Sequence, residues 1–200
     1  MRQVIAALSL VLAAPALAWG APVTSGAYDD AMLLAYNPAT GAVSGYFDMT
    51  RGDPPSFSCI FYLHGKLSGA SAAIDTYFPA TPKGDLIKGK LVLTDAEHFQ
   101  IALKSEHGGC GNVEPFADPS QPVTFDLAAA HPWDAVAVVR SEKAYLYDAP
   151  GAAAHRKAYV IQGDGVGVRA AQTGWVHVDY VGGDATVSGW LKSSDLYPTP

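Results

Sequence analysis

Ser105-Glu106-His107-Gly108-Gly109-Cys110 is the stretch whose residue types could do covalent chemistry. A cysteine thiolate attacks acyl carbons, a histidine in reach takes the thiol proton, and amides of a glycine-rich turn can hold the oxyanion. The same Cys110 has a second use. Cys59 and Cys110 are the only cysteines of the chain. An even count in an exported protein usually pairs. Such a bond would close a loop of about 50 residues, worth roughly 4 kcal/mol in the chain-entropy account. Cys59 lies inside the apolar strand Ser58-Cys59-Ile60-Phe61, and Gly108-Gly109 gives Cys110 room to approach it. The two uses exclude each other, and pairing explains both positions, so a disulfide and no catalytic residue are expected.

Other reactive chemistry is thinly represented. A metal site built from Asp95, His98, His107 and Cys110 would have to draw its ligands from separate strands. The chain holds no Cys-x-x-Cys and no His-x-His pair. No Gly-Lys-Ser/Thr loop and no Gly-x-Ser-x-Gly elbow occurs. No metal ligand and no cofactor is therefore expected. Arg51-Gly52-Asp53 precedes Pro54-Pro55 and reads as a turn.

Binding chemistry is better represented. Val166 and Val168 alternate with Gly165, Gly167 and Arg169. Val176, Val178 and Tyr180 alternate with Trp175, His177 and Asp179. Ala144 and Leu146 alternate with Tyr145 and Tyr147. If the aliphatics face a core, Tyr145, Tyr147, Trp175 and His177 face the other way. Those four are the expected ligand or partner groove. The competing expectation is that the rest of the chain packs over them.

The elements that must position these groups read as strands throughout. The 200 residues include 20 Gly and 14 Pro, and only 16% are charged, a composition poor in long helices. Ala31–Tyr36, Val43–Met49, Phe57–His64, Ser71–Phe78, Leu86–Thr94, Phe99–Lys104 and Val123–Phe125 are extended runs separated by turn residues. Phe57 to His64 is apolar on both faces and suits a strand covered on both sides. Phe99, Ile101 and Leu103 should point inward. Seven such runs at short spacing suggest an antiparallel β-sandwich or small barrel over 19–130. Ala128-Ala129-Ala130-His131-Pro132 reads as a linker, with a second unit over 133–200. The fold class is all-β.

The N-terminus reads as an address. Arg2 precedes the apolar run Val4 to Ala14, and Ala16-Leu17-Ala18 offers the small residues a signal peptidase accepts. The run is shorter than the ~20 residues a membrane helix needs. Residues 1–18 are expected to be a signal peptide, the mature protein periplasmic or secreted, and membrane insertion absent. A net charge of −6 without a basic cluster points away from nucleic acid.

Gly174-Trp175-Val176-His177-Val178, then Gly189-Trp190-Leu191-Lys192-Ser193-Ser194-Asp195-Leu196, resembles the bacterial Src-homology-3-like domain. Val139-Arg140 to Tyr147, Pro150, Val160 and Gly163-Asp164 fall where that family has its early strands and its Gly-Asp turn. The resemblance covers about 136–197 and implies a small C-terminal β-barrel that binds cell-wall peptides or partner proteins without catalysis. Val181-Gly182-Gly183-Asp184-Ala185-Thr186 reads as a longer hairpin tip than the shortest members have. The cysteine loop is similar to the Ser-His-Gly-Cys motif of L,D-transpeptidases, with His64-Gly65 as a counterpart of their upstream His-Gly. Glu106 separates Ser from His, however, Gly109 is inserted before Cys110, and Gly111-Asn112 replaces the apolar-Arg continuation. The expected function is an exported, non-catalytic binding protein that docks on peptidoglycan or an envelope partner protein. The alternative is an immunity or inhibitor protein that blocks a wall-degrading toxin or hydrolase. A cysteine enzyme comes third.

Overall fold

A computed structural model describes residues 22–29, 31–84, 86–183 and 185–198. The expected signal peptide, 1–18, lies outside the described residues. The first eight strands are β1 Gly26–Tyr28, β2 Met32–Asn37, β3 Ala42–Arg51, β4 Phe57–Ser68, β5 Ser71–Tyr77, β6 Ile87–Leu93, β7 His98–Leu103 and β8 Val123–Ala130. Each pairs antiparallel with the next, and β8 returns to pair with β1, so the sheet closes into a barrel. Between the two architectures open for this unit, the structure selects the barrel.

The interior is filled. Met32, Leu34, Phe47, Phe61, Leu63, Ile74, Leu91, Phe99, Ile101 and Phe125 are buried in one cluster. Phe99, Ile101 and Leu103 point inward while Gln100 and Ala102 do not, as the alternation requires. The filled apolar interior is the reverse of a membrane barrel's lumen, which is polar. Among the described residues no helix is long and apolar enough to cross a membrane.

One reading of the sequence is corrected here. Ala128-Ala129-Ala130 is not linker: these residues extend β8, and Ala129 and Ala130 pair with Ala27 and Gly26 to close the barrel. Alanine has little strand propensity of its own, but the pairing with β1 supplies the hydrogen bonds. In the C-terminal unit, hairpin pairing continues to Gly182↔Ala185, and Gly183 takes a left-handed φ of 58°.

The C-terminal strands are β9 Ala135–Val138, β10 Lys143–Tyr145, β11 Tyr159–Ile161, β12 Gly165–Gln172, β13 Trp175–Gly182 and β14 Ala185–Lys192. They form a four-stranded antiparallel sheet, β14-β13-β12-β9, and a two-stranded ribbon, β10-β11. Single bridges, Val139↔Leu196 and Tyr147↔Trp190, join the pieces. Val139, Ala144, Leu146, Val160, Val166, Val178 and Leu191 pack into a second core between them.

The two units meet through a third cluster. Ala35, Tyr46, Tyr62 and Tyr77 on the outside of the barrel pack against Trp133, Val136 and Val138. This explains β4. Its Cys59, Phe61 and Leu63 face the barrel interior, while Ile60 and Tyr62 face β9. As the edge of its sheet, β9 has backbone groups that need partners. The Val136 N–H donates to Ser44 Oγ at 2.9 Å, and the Tyr62 hydroxyl donates to the Val136 carbonyl at 3.1 Å.

Trp133 is the centre of this joint. It is buried, stacks on His131 at 4.5 Å, and lies flat against Gly167, where a β-carbon would fall 2.0 Å from the indole. Its Nε1 donates to Asp179 Oδ2 at 2.9 Å. Asp179 is only 2% exposed, so its charge needs partners. The Ser188 hydroxyl donates to Oδ1 at 2.6 Å, and the Arg169 guanidinium stands 3.7 Å from it.

Candidate functional site

The cysteine loop is a plug. Between β7 and β8 the chain folds over one end of the barrel, and Cys110, Val113 and Phe116 are buried in the barrel core. Cys110 opens a short 3-10 turn, Cys110–Asn112, and is bonded to Cys59 of β4 with their Cα atoms 4.4 Å apart. Gly109 makes the approach possible. It holds a φ of 86°, and a β-carbon there would fall 2.1 Å from the Ser58 carbonyl oxygen. No other residue type fits between the plug and β4. The disulfide read from the sequence is therefore present, and in this state Cys110 has no thiolate to offer.

His107 is placed as a structural group. It is 7% exposed, stacks on Phe61 at 5.3 Å, and its Nε2 lies 2.7 Å from Thr76 Oγ1. Glu106 Oε1 accepts from the Ala117 N–H at 2.6 Å, which fixes the far side of the plug. His64 sits on β4 and contacts the Tyr77 ring at 5.7 Å instead of joining His107. Among the described residues, no group of three or more His, Cys, Asp or Glu is arranged to hold a metal ion.

The four aromatic residues read from the sequence do share a surface of the C-terminal unit. Tyr147 and Trp175 meet edge to face, with ring centres 5.0 Å apart. Tyr145 lies next along the chain, and His177 shares the face of β13 with Trp175, two residues away. All four are half-buried, and none belongs to the cluster that joins the units. The joint uses the same outer face of β13, but its other end, where Asp179 and Val181 lie near Trp133.

Five further side chains complete the surface, and alternation along one strand could not find them. His155 stacks on Tyr145 at 3.9 Å and lies 6.1 Å from Tyr147. It comes from the segment between β10 and β11, where no periodicity marks it. Arg156 pins that segment. Its backbone N–H donates to the Leu146 carbonyl at 2.7 Å, its Nη1 donates to the Ser188 carbonyl at 2.7 Å, and its Nε pairs with Asp148 at 2.5 Å. The His155 Nδ1 donates to the Arg156 carbonyl at 2.6 Å, which leaves Nε2 as the ring's free nitrogen. Tyr159 lies across β10-β11 from Tyr145, with ring centres 5.9 Å apart. Trp190, opposite His177, contacts its ring at 5.1 Å.

Lysines stand at both ends. Lys143 Nζ lies 3.9 Å above the Tyr159 ring and 4.9 Å from the Tyr145 ring. A hydrogen bond to the Tyr145 side chain holds it above the usual lysine range, with desolvation working against the shift. Lys192 pairs with Trp175 across β13-β14, and its Nζ lies 5.8 Å from the Tyr147 ring. The surface is thus a run of rings, Tyr159, Tyr145, His155, Tyr147 and Trp175, between two ammonium groups. It can stack on flat or C–H-rich ligand faces and pair with anionic groups at its ends. In comparisons with known proteins, no family model, curated protein or solved structure matches the chain.

Proposed function

We propose that this chain is an exported, non-catalytic binding protein of the bacterial envelope, and that the aromatic surface of its C-terminal unit docks on peptidoglycan. The observation that carries this reading is the run of five rings between Lys143 and Lys192. Rings already in contact lose little freedom when a ligand covers them. Peptidoglycan offers sugar faces for stacking and stem-peptide carboxylates for the lysines. The resemblance of 136–197 to bacterial Src-homology-3-like domains supports the same reading, as does a disulfide, which persists in an oxidising compartment.

Purified sacculi provide the test. The protein should sediment with them, and Trp175→Ala should weaken binding by about 2 kcal/mol, roughly 30-fold, with little change in thermal stability. Equal sedimentation of Trp175→Ala and the parent would remove the aromatic surface from the interaction. A tight one-to-one complex with a wall hydrolase, without sedimentation, would make the protein an inhibitor instead. An envelope partner protein would show as capture that survives digestion of the sacculi.

Export carries its own expected result. Mature protein recovered from the periplasm should begin at Trp19 or within a few residues of it, after Ala16-Leu17-Ala18. N-terminal sequencing that finds Met1 on exported protein would remove the signal-peptide reading.

A further inference from the structure

Where the two units face each other beside the Trp133 joint, a groove of two adjoining cavities remains open. The larger, about 580 Å³, is lined by Tyr46, Asp48, Ile60, Phe78, Ile161 and Asp164, among others. The second, about 480 Å³, shares Ile60 and Phe78 with it and continues past Leu86 to Glu106 and His107 of the plug. The shared residues make the two cavities one continuous depression. Its walls are unusual for this protein. Phe78, Leu86 and Ile161 are 42%, 48% and 50% exposed, among the few large apolar side chains left open to solvent. They come from both units, and all three line the same groove.

At the end of the groove away from Glu106, two carboxylates face it. Asp48 sits on the outer face of β3, where the Tyr46 hydroxyl lies 3.5 Å from its Oδ2. Asp164, in the turn between β11 and β12, accepts the Ile161 N–H at 2.8 Å through Oδ2. Neither carboxylate has a cationic partner among the described residues.

We infer that this groove is a second binding site, and that its occupant is a short extended peptide segment of a partner protein carrying a lysine or arginine beside a bulky apolar residue. The apolar residue fits against Phe78, Ile60 and Ile161, and the basic side chain reaches Asp48 and Asp164. Continuity of the two cavities through Ile60 and Phe78 suits successive side chains of one extended chain, and charge complementarity fixes its basic residue. Desolvation raises the pKa of both carboxyls, and Asp164 adds to the rise at Asp48, while the Tyr46 hydroxyl works against it there. A cation brought between them relieves that repulsion. The site shares no lining residue with the aromatic surface, although Ile161 pairs with Lys143 of that surface across β10-β11, and neither proposal depends on the other.

Two peptides test it on the full mature protein: acetyl-Phe-Arg-Leu-amide and acetyl-Phe-Gln-Leu-amide, titrated by calorimetry at low salt. The arginine peptide should bind at least tenfold more tightly. Asp48→Asn/Asp164→Asn should abolish that preference while leaving the weak glutamine-peptide affinity in place. Trp175→Ala should leave both affinities unchanged. Equal affinity of the two peptides, or no binding of either at millimolar concentration, would overturn the inference, and these comparisons need no variant. Hexylammonium binding as tightly as the arginine peptide would overturn the peptide assignment in favour of a small amphiphile. A preference that survives in the double Asn variant would show only the attraction of an acidic protein for a cation.

Discussion

Trp133→Ala should lower stability by about 3–5 kcal/mol, the range for emptying a buried aromatic site. For a protein of this size that corresponds to a fall in Tm of roughly 6–20 °C. Three losses combine. The indole's buried area is returned to a cavity against Gly167, whose missing side chain was the space it filled. The His131 stack loses its partner. Asp179 Oδ2 loses the Nε1 donor, and a buried carboxylate that loses a hydrogen bond is costly. Trp133 is also the first fully buried side chain after the end of the barrel, so its removal loosens the joint between the units. Calorimetry should therefore show the single transition of the parent broaden or split. Trp133→Phe separates the terms. It keeps much of the ring and loses the hydrogen bond, so it should cost less than the alanine variant, about 1–3 kcal/mol. A Tm shift below about 2 °C for Trp133→Ala would show that the units do not depend on this joint.

That joint marks the boundary of what the sequence shows. Period-two alternation makes β7 legible, with Phe99, Ile101 and Leu103 inward, because a strand with one buried face has only one register that works. The same rule gives β4 two apolar faces, and the structure covers both. What covers the outer face, β9, is legible nowhere in β4 itself. Closure of the barrel is hidden for a related reason. It rests on β1, Gly26–Tyr28, a strand too short to carry a pattern, and on the alanines of β8, which lack strand propensity. The aromatic surface divides in the same way. Tyr145, Tyr147, Trp175 and His177 follow from alternation within strands. Trp190 and Lys192 follow only from the β13-β14 register, and His155 only from the Arg156 hydrogen bonds that fold its segment back. Local pattern gives faces; pairing between distant strands decides which faces meet.

The native protein should contain no thiol that labels, either folded or denatured without reductant, and two after reduction. This follows from the Cys59–Cys110 bond, with both residues buried in the barrel core. Its energetic consequence should be the second largest of the changes considered. The bond spans 51 residues, and closing a loop of that length removes roughly 4 kcal/mol of chain entropy from the unfolded state. Cys110→Ser should accordingly lower stability by about 2–4 kcal/mol in denaturant titrations. The native state should change in one region. The bond ties the 104–122 plug to β4, and Val113, Phe116 and His107 fill the end of the barrel only while the plug is seated. Amide exchange should rise first at Cys110, Asn112 and Val113, whose N–H groups bond within the plug to His107, Gly109 and Cys110. The sheet bonds of β12 and β13, remote from the plug, should keep their protection. The same experiment bears on chemistry. A cysteine enzyme needs Cys110 reduced, with His107 free to take its proton. One cysteine that labels readily in the folded protein would break the pairing and restore Cys110 as a nucleophile. Labelling only after reduction, with the exchange confined to the plug, leaves the loop as the barrel's tied plug and Cys110 without a nucleophile's role.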